Sequence, residues 1–280
     1  MKRIIIWGLA ILITLGAAVY QKVTGPTYPK KIRTIIVGTE YKYKLIRTHG
    51  GETDATVEIP IFKNTDSVIL SYRKYPILKS EKWNNVPFTA DSKNEQMTAK
   101  LPHQPPAGKY AYYISAYTKS GVVEIQKEKP VVIRFKGDVP GFILIPHIFF
   151  IFFGMLFANA AALFAFWKIP AYKLYTKITF FLLLLGGMIL GPIVQKYAFG
   201  DYWTGVPFGW DLTDNKMLIG FIAWIIAYIG NIKIERRYLV IIAALITLII
   251  FSIPHSMFGS ELNRETGTIT QGFIQFFGIK

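Results

Sequence analysis

The chain has 280 residues, 52% of them hydrophobic and 18% charged, with 32 Lys and Arg against 17 Asp and Glu and a formal charge of +15. A soluble domain carries about 25% charged residues, so a single water-soluble globule is excluded; apolar bulk and basic excess in separate stretches fit a membrane protein and not a nucleic-acid binder. The absence of cysteine excludes disulfides, thiolate metal sites and covalently attached haem.

The chain opens with Met1-Lys2-Arg3 and an apolar run from Ile4 to Tyr20. This is the pattern of a membrane anchor or a signal peptide, residues 1–23. Gly16-Ala17-Ala18-Val19 is a poor cleavage site, which favours an uncleaved anchor. Either way the following segment is expected outside the cytoplasm.

From 24 to 140 the pattern changes to short alternating stretches broken by turn residues. Thr56–Ile61, Ser67–Arg73, Lys109–Ala116, Val122–Gln126 and Val131–Phe135 read as strands. Seven or eight strands in this length predict an antiparallel all-β sandwich domain of immunoglobulin or fibronectin type III style.

Beyond Gly141 four apolar blocks follow: Phe142–Trp167, Ile178–Tyr197, Met217–Ile232 and Leu239–Ile253. With the anchor they predict a membrane α-helical protein of five transmembrane helices and an inserted extracytoplasmic sandwich. Charge sets the orientation. Lys2, Arg3, Lys168, Lys173, Lys177, Lys233, Arg236 and Arg237 stand against one acid, Glu235, in the amino end and two connections, whereas residues 197–216 hold three Asp and one Lys. The positive-inside rule then puts the amino end in, and the sandwich, the 197–216 loop and the carboxyl end out, across an inner, cytoplasmic membrane. The sandwich's own balance of 19 basic against 11 acidic residues, net +8, need not oppose export. The last segment, 259–280, is expected to lie on the outer surface as an amphipathic tail too short to span.

Paired catalytic carboxylates, a Gly-x-Ser-x-Gly elbow, a phosphate-binding loop and a His-Glu-x-x-His helix are missing, and the apolar blocks hold almost no ionisable groups. An enzyme, pump or ion-coupled transporter is not indicated. The remaining constellation is at the outer level. His147 follows Pro146 at the start of the second helix, and His255 follows Pro254 at the end of the fifth. Between them lies the loop Phe199-Gly-Asp-Tyr-Trp-Thr-Gly-Val-Pro-Phe-Gly-Trp-Asp-Leu-Thr-Asp-Asn-Lys216. In a closed antiparallel bundle the two imidazoles would share one metal.

With Phe199-Gly200-x-Tyr202-Trp203 and Trp210-Asp211 between two external histidines, residues 141–258 resemble the haem-handling membrane proteins of cytochrome c maturation. Their hallmark is an external tryptophan-rich loop flanked, two helices before and after, by histidines that ligate haem iron. Here Gly205–Gly209 lengthens the loop, Phe199 stands for the leading Trp, and the family lacks the amino-terminal sandwich. The resemblance implies haem as cofactor, with His147 and His255 as metal ligands, Trp203, Phe208 and Trp210 as platform with Asp211, and Lys216 or Lys196 as propionate partner.

Competing readings exist for the same residues. Asp201, Asp211, Asp214 and Asn215 could form a calcium-type site, but Asp211-Leu-Thr-Asp-Asn before a helix is more simply an N-cap cluster. His49 and His103 read as solvated turn residues, Asn159 as a hydrogen bond between helices, and Gly186-Gly187 and Gly191-Pro192 as points of close packing or a kink. The leading expectation is a haem-binding or haem-handling membrane protein. The alternative is a non-catalytic, membrane-anchored sandwich acting as an accessory or assembly subunit of an envelope complex. Its expected partners are the lipid bilayer and other envelope or respiratory proteins.

Overall fold

A computed structural model describes residues 1–77, 80–91, 95–254, 261–262 and 269–270. The chain divides into a helical unit, 1–26 with 139–254, and a sheet unit, Thr27–Asp138, to which the short paired strands 261–262 and 269–270 also belong.

The helical unit holds α1 (Lys2–Thr24), α2 (Gly141–Phe166), α3 (Tyr172–Leu183), a π-helical turn (Leu184–Leu190), α4 (Gly191–Phe199), α5 (Leu212–Gly230) and α6 (Arg237–Ser252). From α3 to α4 the helix is continuous. Among the described residues four helices are long and apolar enough to cross a membrane: Lys2–Thr24, Gly141–Phe166, Tyr172–Phe199 and Leu212–Gly230. Five spans were expected, and the count is corrected. Helix α6 has 16 residues, about 24 Å at 1.5 Å per residue, against an apolar bilayer core of about 30 Å. It starts at Arg237, after the basic connection, and ends at Ser252, with Ile253 extended before Pro254. The carboxyl-end placement that rested on a fifth span loses its basis.

Small residues let the helices approach closely. The core joins Ile6 and Ala17 of α1 with Met155, Ala158, Ala161, Phe164 and Ala165 of α2, Leu183 of α3, Trp224 and Ala227 of α5, and Ala243 and Ala244 of α6. Trp7 of α1 meets the rings of Phe157 and Tyr175 edge-on at 5.6 and 5.3 Å. Aromatic edge-to-face pairs of this kind favour one fixed geometry.

The sheet unit contains β1 (Lys30–Ile36), β2 (Thr39–Leu45), β3 (Thr48–Gly50), β4 (Ala55–Pro60), β5 (Ser67–Lys74), β6 (Asn84–Pro87), β7 (Thr89–Asp91), β8 (Gln96–Leu101), β9 (Lys109–Thr118), β10 (Gly121–Ile125) and β11 (Val131–Lys136). One sheet runs β3-β11-β9-β5-β6, with β10 also paired to β9. The other strands form the three-stranded sheet β4-β8-β7 and the ribbon β1-β2. One core lies between these layers, from Ile32, Ile36 and Leu45 through Val57, Ile59 and Leu101 to Leu70, Tyr112, Ile114, Ile133 and Phe135.

Strand β9 is central. Its core face carries Tyr110, Tyr112, Ile114 and Ala116, yet Ala111, Tyr113 and Ser115 on the opposite face are buried as well. The Tyr112 hydroxyl donates to the Ile46 carbonyl at 2.7 Å. The expectation of a purely antiparallel sandwich is also corrected: β3 pairs with β11 in parallel, Thr48 opposite Arg134. A three-residue strand after a turn can join an edge in either direction, because so few ladder bonds are at stake.

Candidate functional site

The loop between α4 and α5 is a closed hydrogen-bonded structure. Helix α4 ends at Gly200, in the left-handed conformation (φ 94°) that glycine adopts at helix ends. Asp211 caps α5, its Oδ1 accepting from the backbone N–H of Thr213 at 2.8 Å and of Asp214 at 3.3 Å. Asp214 Oδ2 accepts from the Thr204 backbone N–H at 2.6 Å and from the Thr204 hydroxyl at 3.2 Å, and Gln195 Nε2 donates to that hydroxyl at 2.7 Å. Asn215 Oδ1 accepts from the Val206 N–H at 2.7 Å. The chain must pass closely at Gly205, where a Cβ would stand 2.7 Å from Asp214 Cβ and 2.8 Å from Asn215 Oδ1.

These contacts bear on the expected roles. Asp211, Asp214 and Asn215 hold the loop against the first turn of α5, the N-cap arrangement, and Asp201 is exposed. Among the described residues no group of three or more His, Asp or Glu side chains is placed to hold a metal ion. Lys216 is buried, 5% exposed, and its Nζ donates to the Ile253 carbonyl at 2.8 Å, just past the end of α6. Lys196 donates to the Gly200 carbonyl and lies 5.4 Å from the ring centre of Tyr202.

Of the aromatic set, Trp203 is half-buried and donates from Nε1 to the Val206 carbonyl at 3.1 Å. Phe208 is 81% exposed and Trp210 61% exposed. His147 lies in the second turn of α2, with Nδ1 2.9 Å from the Gly186 carbonyl. That oxygen also accepts the Gly191 N–H, five residues on, which is the bond of a π-helical turn. If Nδ1 carries the proton, Nε2 keeps its lone pair, the arrangement that a backbone carbonyl bonded to the other ring nitrogen imposes on metal-binding histidines. His255 lies outside the described residues, as does all of the expected 259–280 tail except 261–262 and 269–270.

For haem, therefore, the expected set is divided. Phe208 and Trp210 are exposed and Nε2 of His147 is the ring nitrogen not bonded to Gly186, while Trp203, Asp211 and Lys216 are engaged in bonds that hold the loop and the helix ends. Sequence reasoning did not find Gln195 and Thr204, which complete the loop network. It also passed over Asn231, whose Oδ1 accepts from Tyr172 Oη at 3.1 Å and from the Arg236 N–H at 2.8 Å. Asn231 thus ties together the two basic connections, and Glu235 adds a contact to Lys173 at 3.1 Å. An Asn at the end of an apolar run just before a charged connection was the available signal.

No protein-family model matches this chain, and no characterised protein resembles it significantly in sequence.

Proposed function

We propose that the protein is a non-catalytic membrane subunit whose helices hold the sheet unit at the outer face of the cytoplasmic membrane, where it serves in assembling or supporting an envelope complex. One observation carries this reading: three pairs of buried polar side chains within the helical unit bond one another between helices. Asn159 bonds Thr14 at 2.9 Å, Trp224 Nε1 bonds Thr247 at 2.7 Å, and Tyr172 bonds Asn231. Polar groups that line a transport path or a reaction site face a cavity or each other's titratable atoms; these bind helices together. The basic connections around Lys173 and Arg236 support an amino end inside and a sheet unit outside.

The test is one preparation read in two ways. Solubilised gently from its own membrane, the protein should migrate with defined other subunits and dissociate from them when the sheet unit is removed. A chain that migrates alone in every mild detergent overturns the reading.

A second reading, haem handling at the same face, is favoured by the bond from His147 to Gly186 and by the exposed Phe208 and Trp210. Bound there, haem would supply an iron centre for transfer to another protein, and His147 would hold and orient it. The spectrum of the same preparation separates the two. A Soret band that follows the isolated chain and shifts in His147→Ala favours haem handling; a colourless chain from haem-replete cells favours the structural subunit.

A further inference from the structure

The β1–β2 ribbon has one face that the core does not use. In its antiparallel register Lys31 is opposite Lys44, Arg33 opposite Lys42, and Ile35 opposite Glu40. Strand alternation puts these six side chains on one face and Ile32, Ile36 and Leu45 on the other. All six are exposed, whereas Ile32, Ile36 and Leu45 are buried. Like charges directly opposite one another destabilise a strand pair, so two facing cation pairs are a feature that formation of the ribbon opposes. Glu40 touches Arg33, and Lys42 at 3.2 Å; four cations against this one acid leave three positive charges in excess.

The tip adds an independent observation. Val37 and Gly38 make the turn, both with positive φ, 43° and 75°. A β-branched residue in the left-handed region is an outlier, and Asn or Gly would make such a turn at lower cost. Instead the turn displays Val37, 48% exposed, beside Ile35, 65% exposed. From base to tip the face therefore reads cation pair, cation pair, Ile35 opposite a Glu40 that Arg33 and Lys42 engage, then Val37 at the turn.

That order matches the interfacial zone of a bilayer, in which phosphates lie above the acyl chains. An acidic protein surface would answer the cations but would give the apolar tip no comparable medium. Covalent continuity points the same way: β1 begins six residues after Thr24, the last residue of α1. A fully extended connection of that length reaches about 20 Å from a helix able to cross a membrane. We propose that the β1–β2 ribbon is a lipid-binding finger, which seats Lys31, Arg33, Lys42 and Lys44 on anionic phospholipid headgroups and inserts Ile35 and Val37 at the bilayer interface.

Because the chain has no cysteine, Ile35→Cys or Val37→Cys gives a unique site for an environment-sensitive fluorophore. Full-length protein is reconstituted into bilayers of phosphatidylcholine alone or mixed with phosphatidylglycerol. The emission should shift to the blue, and spin-labelled lipids should quench it, in the anionic bilayer only. High salt should reverse both effects without any further substitution, and combined K31Q, R33Q, K42Q and K44Q should remove most of the quenching. A label that remains in water in both bilayers overturns the proposal and leaves the basic face to an acidic protein. A label equally embedded in both, and unchanged by salt, overturns it too, because the charges would then take no part.

Discussion

The side-chain amide of Asn159 donates to the hydroxyl of Thr14 at 2.9 Å, joining α2 to α1 across 145 residues of sequence. Thr14 in turn donates to the Ala10 carbonyl. Both side chains are buried in an apolar bundle, so each satisfies the other where no water is at hand. Together with Ile6 and Trp7 this makes α1 a packed member of the helical unit.

Thr14→Val should therefore destabilise the protein by about 0.6 to 2 kcal/mol, the range for hydrogen bonds between membrane helices, since it leaves Asn159 Nδ2 without this acceptor. The pair Thr14→Val with Asn159→Leu should cost less than the sum of the two single changes, because removing both partners leaves no unsatisfied group. Denaturation in mixed micelles, analysed as a double-mutant cycle, checks this; strictly additive losses would show that the bond contributes nothing.

The glycines of the π-helical turn should differ in their tolerance of a methyl group. At Gly186 a Cβ would lie 2.8 Å from Phe150 Cβ and 3.1 Å from the Ile151 backbone nitrogen. Neither can yield without moving α2. At Gly187 the nearest atoms, Met217 Cε at 2.3 Å and Sδ at 2.6 Å, belong to the far end of a flexible side chain. Gly186→Ala should cost about 1–3 kcal/mol as overpacking, and Gly187→Ala distinctly less. Melting temperatures in one detergent rank them, and the opposite order would refute the packing argument.

Orientation is open to labelling with a membrane-impermeant thiol reagent. Lys233 lies exposed between α5 and α6, and Phe208 is exposed in the α4–α5 loop. In right-side-out membranes Phe208→Cys should react and Lys233→Cys should be protected until the membrane is opened. Gly205 is unsuitable for this purpose, since any side chain there strikes Asp214. Protection at 208 with reaction at 233 would invert the proposed orientation.

How much of this was legible in the sequence depended on the range of each interaction. The strands 109–118 and 131–136 and the cap at Asp211 were readable because alternation and N-cap chemistry are local. The β1–β2 ribbon was not assigned, for its buried residues Ile32, Ile36 and Leu45 are sparse among lysines and Val37-Gly38 lacks the usual turn signal. Lys216 looked like a surface anchor for an anionic ligand. Only its meeting with the Ile253 carbonyl, 37 residues away, shows it buried, and no local pattern encodes that. Gly186-Gly187 announced close packing, but the π-helical turn, whose Gly186 carbonyl also meets His147 from 39 residues away, has no local signal.

The sheet unit should lose stability in strong alkali. Burial raises the hydroxyl pKa of Tyr43, Tyr110 and Tyr112, with Tyr110 pushed from 10.0 up to about 12. A group whose folded pKa lies above its unfolded value contributes stability that is fully present below the unfolded pKa and is lost as pH rises through the folded one. The window thus opens near pH 10 and extends to about pH 12 for Tyr110. Tyr43 sharpens the test, because its buried hydroxyl has no hydrogen-bond partner among the described residues. Tyr43→Phe should be neutral or slightly stabilising at pH 7 and should reduce the alkaline loss. Trp83 lies in this unit, stacked edge-on against Tyr113 at 4.7 Å, so the fluorine resonance of fluorotryptophan at that position reports on the sheet unit in the intact chain. If parent and Tyr43→Phe unfold over the same alkaline range, the Tyr43 hydroxyl is not held protonated by burial.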